Sequence, residues 1–287
     1  MPLGPDFLCI GMHKAGTQWL YDQLQGHPDF WMPPLKEMHY LERDSDIGRN
    51  ARKVLDQERS TSRPGATRRT PIDARDRAFL EEYASHRALP RDVARYAALF
   101  AHKGDRISGD ITPQYGELDD ALVAEVMTAL PDLAIVLLVR DPVARTWSHI
   151  SQWHRQGRFD RGALDSAQAF RRFLERSARL QKFSSATRVA ARWSAHVRPG
   201  RFKHLFFDDI AARPQEARRE ALVFLGADPG KESAGVDAAF NRKKDYKKLE
   251  LTPELERALA EFLKGELIAG AAMFGGPARQ WAAKYGF

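Results

Sequence analysis

The sequence predicts an α/β fold in which a central parallel β-sheet carries helices on both of its faces. Three short apolar runs, at 7–10, 133–139 and 202–207, are each followed by a stretch whose apolar residues recur at helical spacing. Such runs are typical of buried strands, and their alternation with helices indicates crossover connections between parallel strands. The chain has 287 residues, of which 43% are hydrophobic and 29% charged. This composition excludes a disordered or fibrous protein, and we expect one domain over residues 1–287.

Glycine, proline and capping residues mark where the predicted elements begin and end. Glycines punctuate the turn after the first strand, Pro131 ends a helix before the second strand, and Pro142 suits the first turn of the next helix. Thr252 is a candidate N-cap further along the chain. The predicted elements, in chain order, are a strand at 7–10, a helix around 19–24, a helix at 122–130, a strand at 133–139, a helix from Pro142, a strand at 202–207, and helices at 214–225, at 252–268 and around Trp281.

The charge and the cysteine content narrow the range of functions. The net charge is +7, which favours an anionic ligand but does not demand a nucleic acid. No recognised nucleic-acid-binding module is present, so we expect no nucleic-acid partner, and a basic nucleic-acid-binding protein is kept as an alternative. Cys9 is the only cysteine, which excludes an internal disulfide. The longest apolar run, Leu133–Val139, is far shorter than the ~20 residues of a membrane helix. With no secretory signal either, we expect a soluble, cytoplasmic protein.

The segment 43–93 differs in composition from the rest of the chain. Its arginines are separated by few apolar residues, which is typical of a solvated insertion. Loops of this length in compact domains are usually functional or disordered. Two interpretations therefore stay open, a solvated and partly mobile insertion or a lid that faces the substrate.

The strongest functional signal is the turn between the first strand and its helix, which contains Gly11, Lys14, Gly16 and Thr17. A loop that leads into a helix N-terminus directs several backbone N–H groups at one point, and the helix dipole adds positive potential there. The glycines allow close approach of the backbone, Lys14 adds a cation and Thr17 adds a hydroxyl donor. The pattern predicts a site for a phosphate or a similar oxyanion.

A second signal follows the second strand. Arg140 comes directly after that strand, at the edge of the sheet where open α/β folds bind ligands. Ser148 comes about two helical turns later and can face the same cleft. Because arginine pairs strongly with phosphate and a serine hydroxyl can supplement that pairing, the two residues predict a second phosphate site.

The loop departs from the usual nucleotide triphosphate loop, in which a lysine directly follows the second glycine. Here Lys14 precedes Gly16, and Thr17 stands where that lysine would be. A P-loop kinase that uses ATP and magnesium to phosphorylate a small metabolite is therefore the less favoured alternative. The histidines and the single cysteine show no spacing typical of a metal site, and we expect no metal.

Several motifs together resemble those of the sulfotransferases that use 3′-phosphoadenosine 5′-phosphosulfate (PAPS), in particular the branch that acts on carbohydrates such as heparan sulfate. The matches occur in the family's order. They are the 5′-phosphosulfate loop at Lys14–Trp19, the family's Lys-Glu-x-His segment at 34–40, the segment at 109–115, the 3′-phosphate motif at Arg140–Ser148, and the segment Phe207–Ile210. The resemblance implies a P-loop-like three-layer sandwich, PAPS as sulfuryl donor and 3′-phosphoadenosine 5′-phosphate (PAP) as product.

The resemblance also implies roles for individual residues. Glu37 matches the general base, and partial burial would raise its pKa usefully; Lys14 would offset charge on the leaving phosphate, and His39 would orient the acceptor or share the proton. The residues implied in binding the donor are Lys14, Ala15, Gly16, Thr17, Gln18, Trp19, Arg140, Ser148, Arg242, Lys243 and Lys244, with Trp19 stacking on adenine or lying in the core. Those implied in binding the acceptor are Lys36, Asp110 and Tyr115.

The departures from the family pattern concern the acceptor. Asp110 and Ile111 replace the usual Glu-Lys pair, and the basic stretch 241–248 lacks the family's usual glycine. We expect a small-molecule or glycan acceptor, a sugar or a secondary metabolite, sulfated on a hydroxyl or an amine. The oligomeric state is not indicated by the sequence.

Overall fold

A four-stranded parallel sheet forms the centre of the molecule, in the strand order β2-β1-β3-β4. The computed structural model describes residues 4–43, 46–59, 72–231 and 249–287. The strands are β1 (Phe7–Cys9), β2 (Gly109–Ile111), β3 (Ala134–Val139) and β4 (Phe202–Phe206). Helices flank this sheet, which confirms the predicted α/β fold and all three predicted strands.

The sequence analysis did not predict β2. Its three residues are too few to show a period, and Asp110 at its centre is unusual for a buried strand. Gly109 fits here because a Cβ at this position would lie 2.4 Å from the carbonyl oxygen of Phe7 on the paired strand. The strand is therefore fixed by its neighbours rather than by its own pattern.

The predicted helices are confirmed, with one correction in the stretch 252–268. That stretch is two helices rather than one, because the helix stops at Leu263, whose backbone (φ −100°, ψ 8°) leaves the helical range. Short 3₁₀ turns occupy His86–Ala88, Leu99–Lys103, Pro113–Glu117 and Arg161–Leu164. The helices of the described residues are α1 (Thr17–Gln25), α2 (Arg49–Arg59), α3 (Ala74–Ser85), α4 (Val93–Ala98), α5 (Asp120–Ala129), α6 (Pro142–Arg155), α7 (Ala167–Arg176), α8 (Ala178–Phe183), α9 (Ala186–Ser194), α10 (Phe207–Ala212), α11 (Pro214–Phe224), α12 (Pro253–Phe262), α13 (Lys264–Phe274) and α14 (Gly276–Lys284).

The arginine-rich segment 43–93 contains two helices, α2 and α3, which pack against each other. Phe79 and Tyr83 of α3 are completely buried. The Tyr83 hydroxyl donates a hydrogen bond to the carbonyl oxygen of Met38 (2.5 Å), so α3 supports the loop that follows the first helix. The described part of this segment thus contributes one face of each helix to the core, and its opposite face is exposed. Residues 44–45 and 60–71 lie outside the described residues, and a lid that faces the substrate stays a prediction.

Two neighbouring strands direct their loops to one crevice. Strands β1 and β3 are parallel and in register, with Cys9 opposite Val136. The chain passes from β1 to β2 on one side of β1 and then to β3 on the other side. Such a reversal opens a crevice beyond the carboxyl ends of the two strands, where ligands bind in open α/β sheets.

Candidate active site

The loop between β1 and α1 provides one wall of this crevice. Backbone hydrogen bonds tie it to β3, from the Met12 N–H to the Leu138 carbonyl (2.8 Å) and from the Leu138 N–H to the Gly11 carbonyl (2.8 Å). Lys14 (φ 68°) and Gly16 (φ 104°) both adopt left-handed conformations. The N-cap residue of α1 is Gly16, which has no side chain with which to cap the helix. The N–H groups of its first turn can therefore bind an oxyanion, as the sequence predicts.

Arg140 connects the end of β3 to that loop. Its Nη1 donates a hydrogen bond to the backbone carbonyl of Lys14 (2.9 Å). Its guanidinium lies over the ring of Phe207, with Cζ 4.3 Å from the ring centre. Burial lowers the pKa of Arg140, although the nearby Asp141 and Asp208 carboxylates favour its charge. The cation is held in one place by the loop and the aromatic ring.

A cavity of about 750 Å³ lies above the loop. It brings together eight of the thirteen predicted site residues that the structure describes. Of the predicted residues, the cavity is lined by Lys14, Gly16, Thr17, Gln18, Lys36, Glu37, Arg140 and Ser148. Its basic lining residues are Lys14, Lys36, Arg140, Arg155, Arg158 and Arg179, against the single carboxylate of Glu37 among the described residues. Such a surplus of positive charge favours a polyanionic ligand.

Glu37 lies at the centre of a charged cluster. It accepts a hydrogen bond from the Lys36 ammonium (2.5 Å), and its Oε2 is 3.6 Å from Nε2 of His39. Burial alone would raise the pKa of Glu37, but the His39 hydrogen bond and the Lys36 charge outweigh it and lower the pKa to about 2. The pKa of Glu37 is therefore lowered, not raised as expected from partial burial.

His39 is held between two carboxylates. Its Nδ1 contacts Glu42 at very short range, and its Nε2 faces Glu37. Burial lowers the pKa of His39, but the hydrogen bonds to Glu37 and Glu42 outweigh it and raise the pKa to about 9. His39 is not among the residues that line the cavity. The geometry places it behind Glu37, as a cation that orients the carboxylate.

Two predicted donor residues lie away from the cavity. Ala15 is completely buried, and Trp19 is only 3% exposed. Neither belongs to the lining of the cavity. Of the two interpretations of Trp19, the described structure matches a core tryptophan and gives no surface on which adenine could stack.

Asp110 and Tyr115 also lie away from the cavity, although the resemblance implies that they bind the acceptor. Both are buried, and the Tyr115 hydroxyl donates to the Asp110 carboxylate (2.6 Å). The Tyr115 oxygen in turn accepts the backbone N–H groups of Tyr40 (3.0 Å) and Leu41 (3.4 Å). Burial raises the pKa of Asp110, opposed by its hydroxyl donors. These two residues support the loop of Glu37 and do not line the cavity.

Arg242, Lys243 and Lys244 lie outside the described residues, so their predicted contact with the 3′-phosphate stays a prediction. The chain is described again from Leu249, which lines the cavity together with Leu251. The carbonyl of Leu249 accepts a hydrogen bond from the indole of Trp147 on α6 (3.2 Å). The residues that follow the basic stretch are thus part of the site.

One wall of the cavity consists of residues that were not predicted from the sequence. These residues are His13, His149, Trp153, Arg155, Arg158 and Arg179. The signal available was the helical spacing of 148, 152 and 155, which puts these positions on one face of α6. His149 carries no such signal, because the spacing of the histidines is not typical of any site.

No group of three or more potential metal ligands is found among the described residues. In the same part of the chain, no helix is both long and apolar enough to cross a membrane.

Fold and site together define an α/β protein with a cavity rich in basic residues at the carboxyl edge of a parallel sheet. The chain belongs to the sulfotransferase family, whose model matches residues 5–229. No curated protein sequence matches the chain at a significant level.

Solved structures agree in fold. A sulfotransferase from Alicyclobacillus acidocaldarius is similar with a TM-score of 0.63 at 21% identity, covering 96% of this chain and 98% of that one. The sulfotransferase domain of the Synechococcus PCC 7002 olefin synthase has a TM-score of 0.53 at 17% identity, covering 99% of this chain and 95% of that domain. The sulfotransferase domain of the curacin biosynthetic pathway has a TM-score of 0.53 at 15% identity, covering 92% of this chain and 99% of that domain.

Proposed function

We propose that the protein transfers a sulfuryl group from PAPS to a hydroxyl or an amine of a small-molecule or glycan acceptor, a sugar or a secondary metabolite. The observation that carries this proposal is that Lys14 and Arg140 line one cavity and are joined by a hydrogen bond of 2.9 Å. PAPS has anionic groups at the 5′ and 3′ positions of its adenosine, and the site offers a cation for each of them. The family membership supports this donor over the ATP and magnesium of the kinase alternative.

The donor residues divide the work between the two anionic ends. The first turn of α1 and Lys14 bind the 5′-phosphosulfate, while Arg140 and Ser148 bind the 3′-phosphate; we assign Arg242, Lys243 and Lys244 to the same phosphate. As the acceptor oxygen or nitrogen attacks sulfur, the bond between sulfur and the 5′-phosphate oxygen breaks. Lys14 stabilises the negative charge that develops on this leaving oxygen. Positioning and electrostatics supply most of the catalysis, as in phosphoryl transfer.

Glu37 accepts the proton that the acceptor loses. Its low pKa keeps it ionised at neutral pH but also makes it a weak base. Proton transfer is therefore late, when attack on sulfur has already made the acceptor proton acidic. His39 is a positioning residue that keeps Glu37 charged and directed at the cavity. The products are the sulfated acceptor and PAP.

The test is isothermal titration of the protein with PAP, with ATP and magnesium, and with a single-stranded oligonucleotide. We expect tight binding of PAP alone. Arg140→Ala should weaken PAP binding by about 2 kcal/mol, the value of a charged phosphate contact. Lys14→Ala should abolish turnover of PAPS. Arg219→Ala, an exposed arginine on α11, is the matched control and should leave PAP binding unchanged.

Binding of ATP with no binding of PAP would instead support the kinase, and binding of the oligonucleotide alone would support the nucleic-acid-binding alternative. We also propose a cytoplasmic location, which cell fractionation tests.

A further inference from the structure

One wall of the cavity is a row of neighbouring rings, of which the first two are stacked and the last is tilted. The ring centre of His13, next to Lys14, lies 6.0 Å from that of His149, with 28° between the planes. His149 lies 4.7 Å from Trp153 on the same helix. The guanidinium of Arg179 lies over the Trp153 ring at 5.6 Å. The row therefore runs from the donor loop to an exposed arginine.

The inner part of this row is uncharged. Burial lowers the pKa of His13, against the nearby Glu37 charge. Burial, together with the Arg145 charge, lowers the pKa of His149 to about 3. Two neutral imidazoles and an indole give this wall of the cavity a weakly polar lining, which suits an aromatic ring or the apolar face of a sugar.

The outer end of the row is strongly cationic. Arg155 and Arg158 line the cavity there together with Arg179. Arg155 comes two helical turns after Ser148, so its Cα lies about 10 Å further along α6 than the predicted 3′-phosphate contact. At that separation, Arg155 is better placed to pair with a second anion than with the 3′-phosphate. No carboxylate among the described residues lines this end of the cavity.

We propose that this wall is the acceptor site, and that it selects an acceptor with a flat body and an anionic group, such as a carboxylate, sulfate or phosphate. The body packs against the side of the row formed by His13, His149 and Trp153, and the anion pairs with Arg179, Arg155 and Arg158. This arrangement directs the reacting hydroxyl towards Glu37 and Lys14. The inference rests on the proposed function, because it assigns to the acceptor the part of the cavity that PAPS is not proposed to occupy.

The experiment uses two probes that differ in one charged group, p-nitrophenyl β-D-glucuronide and p-nitrophenyl β-D-glucoside. Each is titrated calorimetrically into the full-length protein saturated with PAP. We expect the glucuronide to bind at least tenfold more tightly than the glucoside, because only the glucuronide carries a carboxylate for the arginines. In Arg179→Ala the ratio should fall to within about twofold, with PAP affinity unchanged.

Arg176→Ala is the matched control. Arg176 ends α7, is exposed and does not line the cavity. The control should keep the preference for the glucuronide. A double variant, Arg155→Ala with Arg158→Ala, should also reduce it, which separates the cationic end from an effect of Trp153 alone.

The two levels of inference fail in different ways. Loss of PAP binding by the unaltered protein overturns the proposed function. If PAP binds but the glucuronide binds no better than the glucoside, or neither binds, the acceptor site is wrong and the donor assignment stands. A preference for the glucuronide that survives in both Arg179→Ala and the double variant also overturns the proposed acceptor site.

Discussion

Unfavourable backbone conformations are concentrated at the site residues. Among the described residues, four that are not glycine have positive φ, and three of them are Lys14 (68°), Glu37 (64°) and His39 (59°). A left-handed conformation costs an ordinary residue roughly 1–2 kcal/mol relative to glycine. Such costs persist where the surrounding structure enforces them and are common at active sites. The fold therefore gives up some stability to orient Lys14 and Glu37, which we assign to catalysis, and His39, which we assign to positioning Glu37.

The Glu37–His39 pair makes a prediction at this scale. Glu37→Gln removes one of the two carboxylates that stabilise the imidazolium, so the pKa of His39 should fall from about 9. It should stay above the ordinary value of 6.5, because Glu42 remains. Titration of the His39 ring protons by nuclear magnetic resonance measures both values. Glu81→Gln, on the exposed side of α3, is the control; an unchanged His39 titration in Glu37→Gln would contradict the pair.

The same pair sets a pH window for stability. The folded-state pKa of His39 is raised, so its contribution is complete below pH 6.5 and is lost as the pH rises through about 9. The folded-state pKa of Glu37 is lowered, so its contribution is present above pH 4.5 and is lost as the pH falls towards about 2. Both contributions to stability are therefore complete between pH 4.5 and pH 6.5.

At the scale of elements, the short strand β2 and the 3₁₀ turn after it hold the catalytic loop. Tyr115 in this turn joins a buried carboxylate on β2 to two backbone N–H groups of the loop that carries Glu37. Tyr96 of α4 donates to the same Asp110 oxygen (3.2 Å) but is not hydrogen-bonded to the loop. The two tyrosines thus differ in one respect that mutation can isolate.

Tyr115→Phe should lower the free energy of unfolding by about 2–3 kcal/mol. It leaves the Tyr40 N–H without its acceptor and removes the closest donor to Asp110, and each buried polar group left unpaired costs ~1–3 kcal/mol. Turnover should also fall, because the loop of Glu37 loses its support. Urea denaturation and a sulfuryl-transfer assay measure the two effects. Tyr96→Phe should cost less stability and keep turnover; equal losses in both variants would contradict the supporting role.

The sequence could predict the elements with a strong local signal but not the contacts made across the fold. The apolar runs, the loop glycines and the positions of Arg140 and Ser148 were readable, because each depends on neighbours in the chain. The burial of Asp110 depends on hydroxyl donors at 96, 112 and 115, and these are brought together only by folding. The orientation of His39 away from the cavity depends on Glu42 in the same way.

At the scale of the whole molecule, the cavity concentrates cations that repel one another until an anion binds. Ligand binding should therefore stabilise the fold. At a PAP concentration 100 times its Kd, the free energy of unfolding should rise by about 2.7 kcal/mol. At the same concentration, Arg140→Ala should gain only about 1 kcal/mol, since its Kd is weaker.

Urea denaturation with and without PAP measures this gain. Adenosine 5′-monophosphate, which lacks the 3′-phosphate, is the control ligand and should stabilise the unaltered protein much less at the same concentration. Equal stabilisation by both nucleotides would remove the role of Arg140 in recognising the 3′-phosphate.

The row of rings from His13 to Arg179 has a consequence for how the protein can change. Its inner end belongs to the loop that is hydrogen-bonded to the sheet, whereas Arg158 and Arg179 lie beyond α6 and on the short helix α8. Replacement of the segment 157–183 would therefore exchange Arg158 and Arg179 and leave Arg155, the sheet and the Lys14–Arg140 hydrogen bond in place. The proposed donor site and these two arginines thus lie on separate segments of the chain, so that acceptor specificity can change while the donor site is kept.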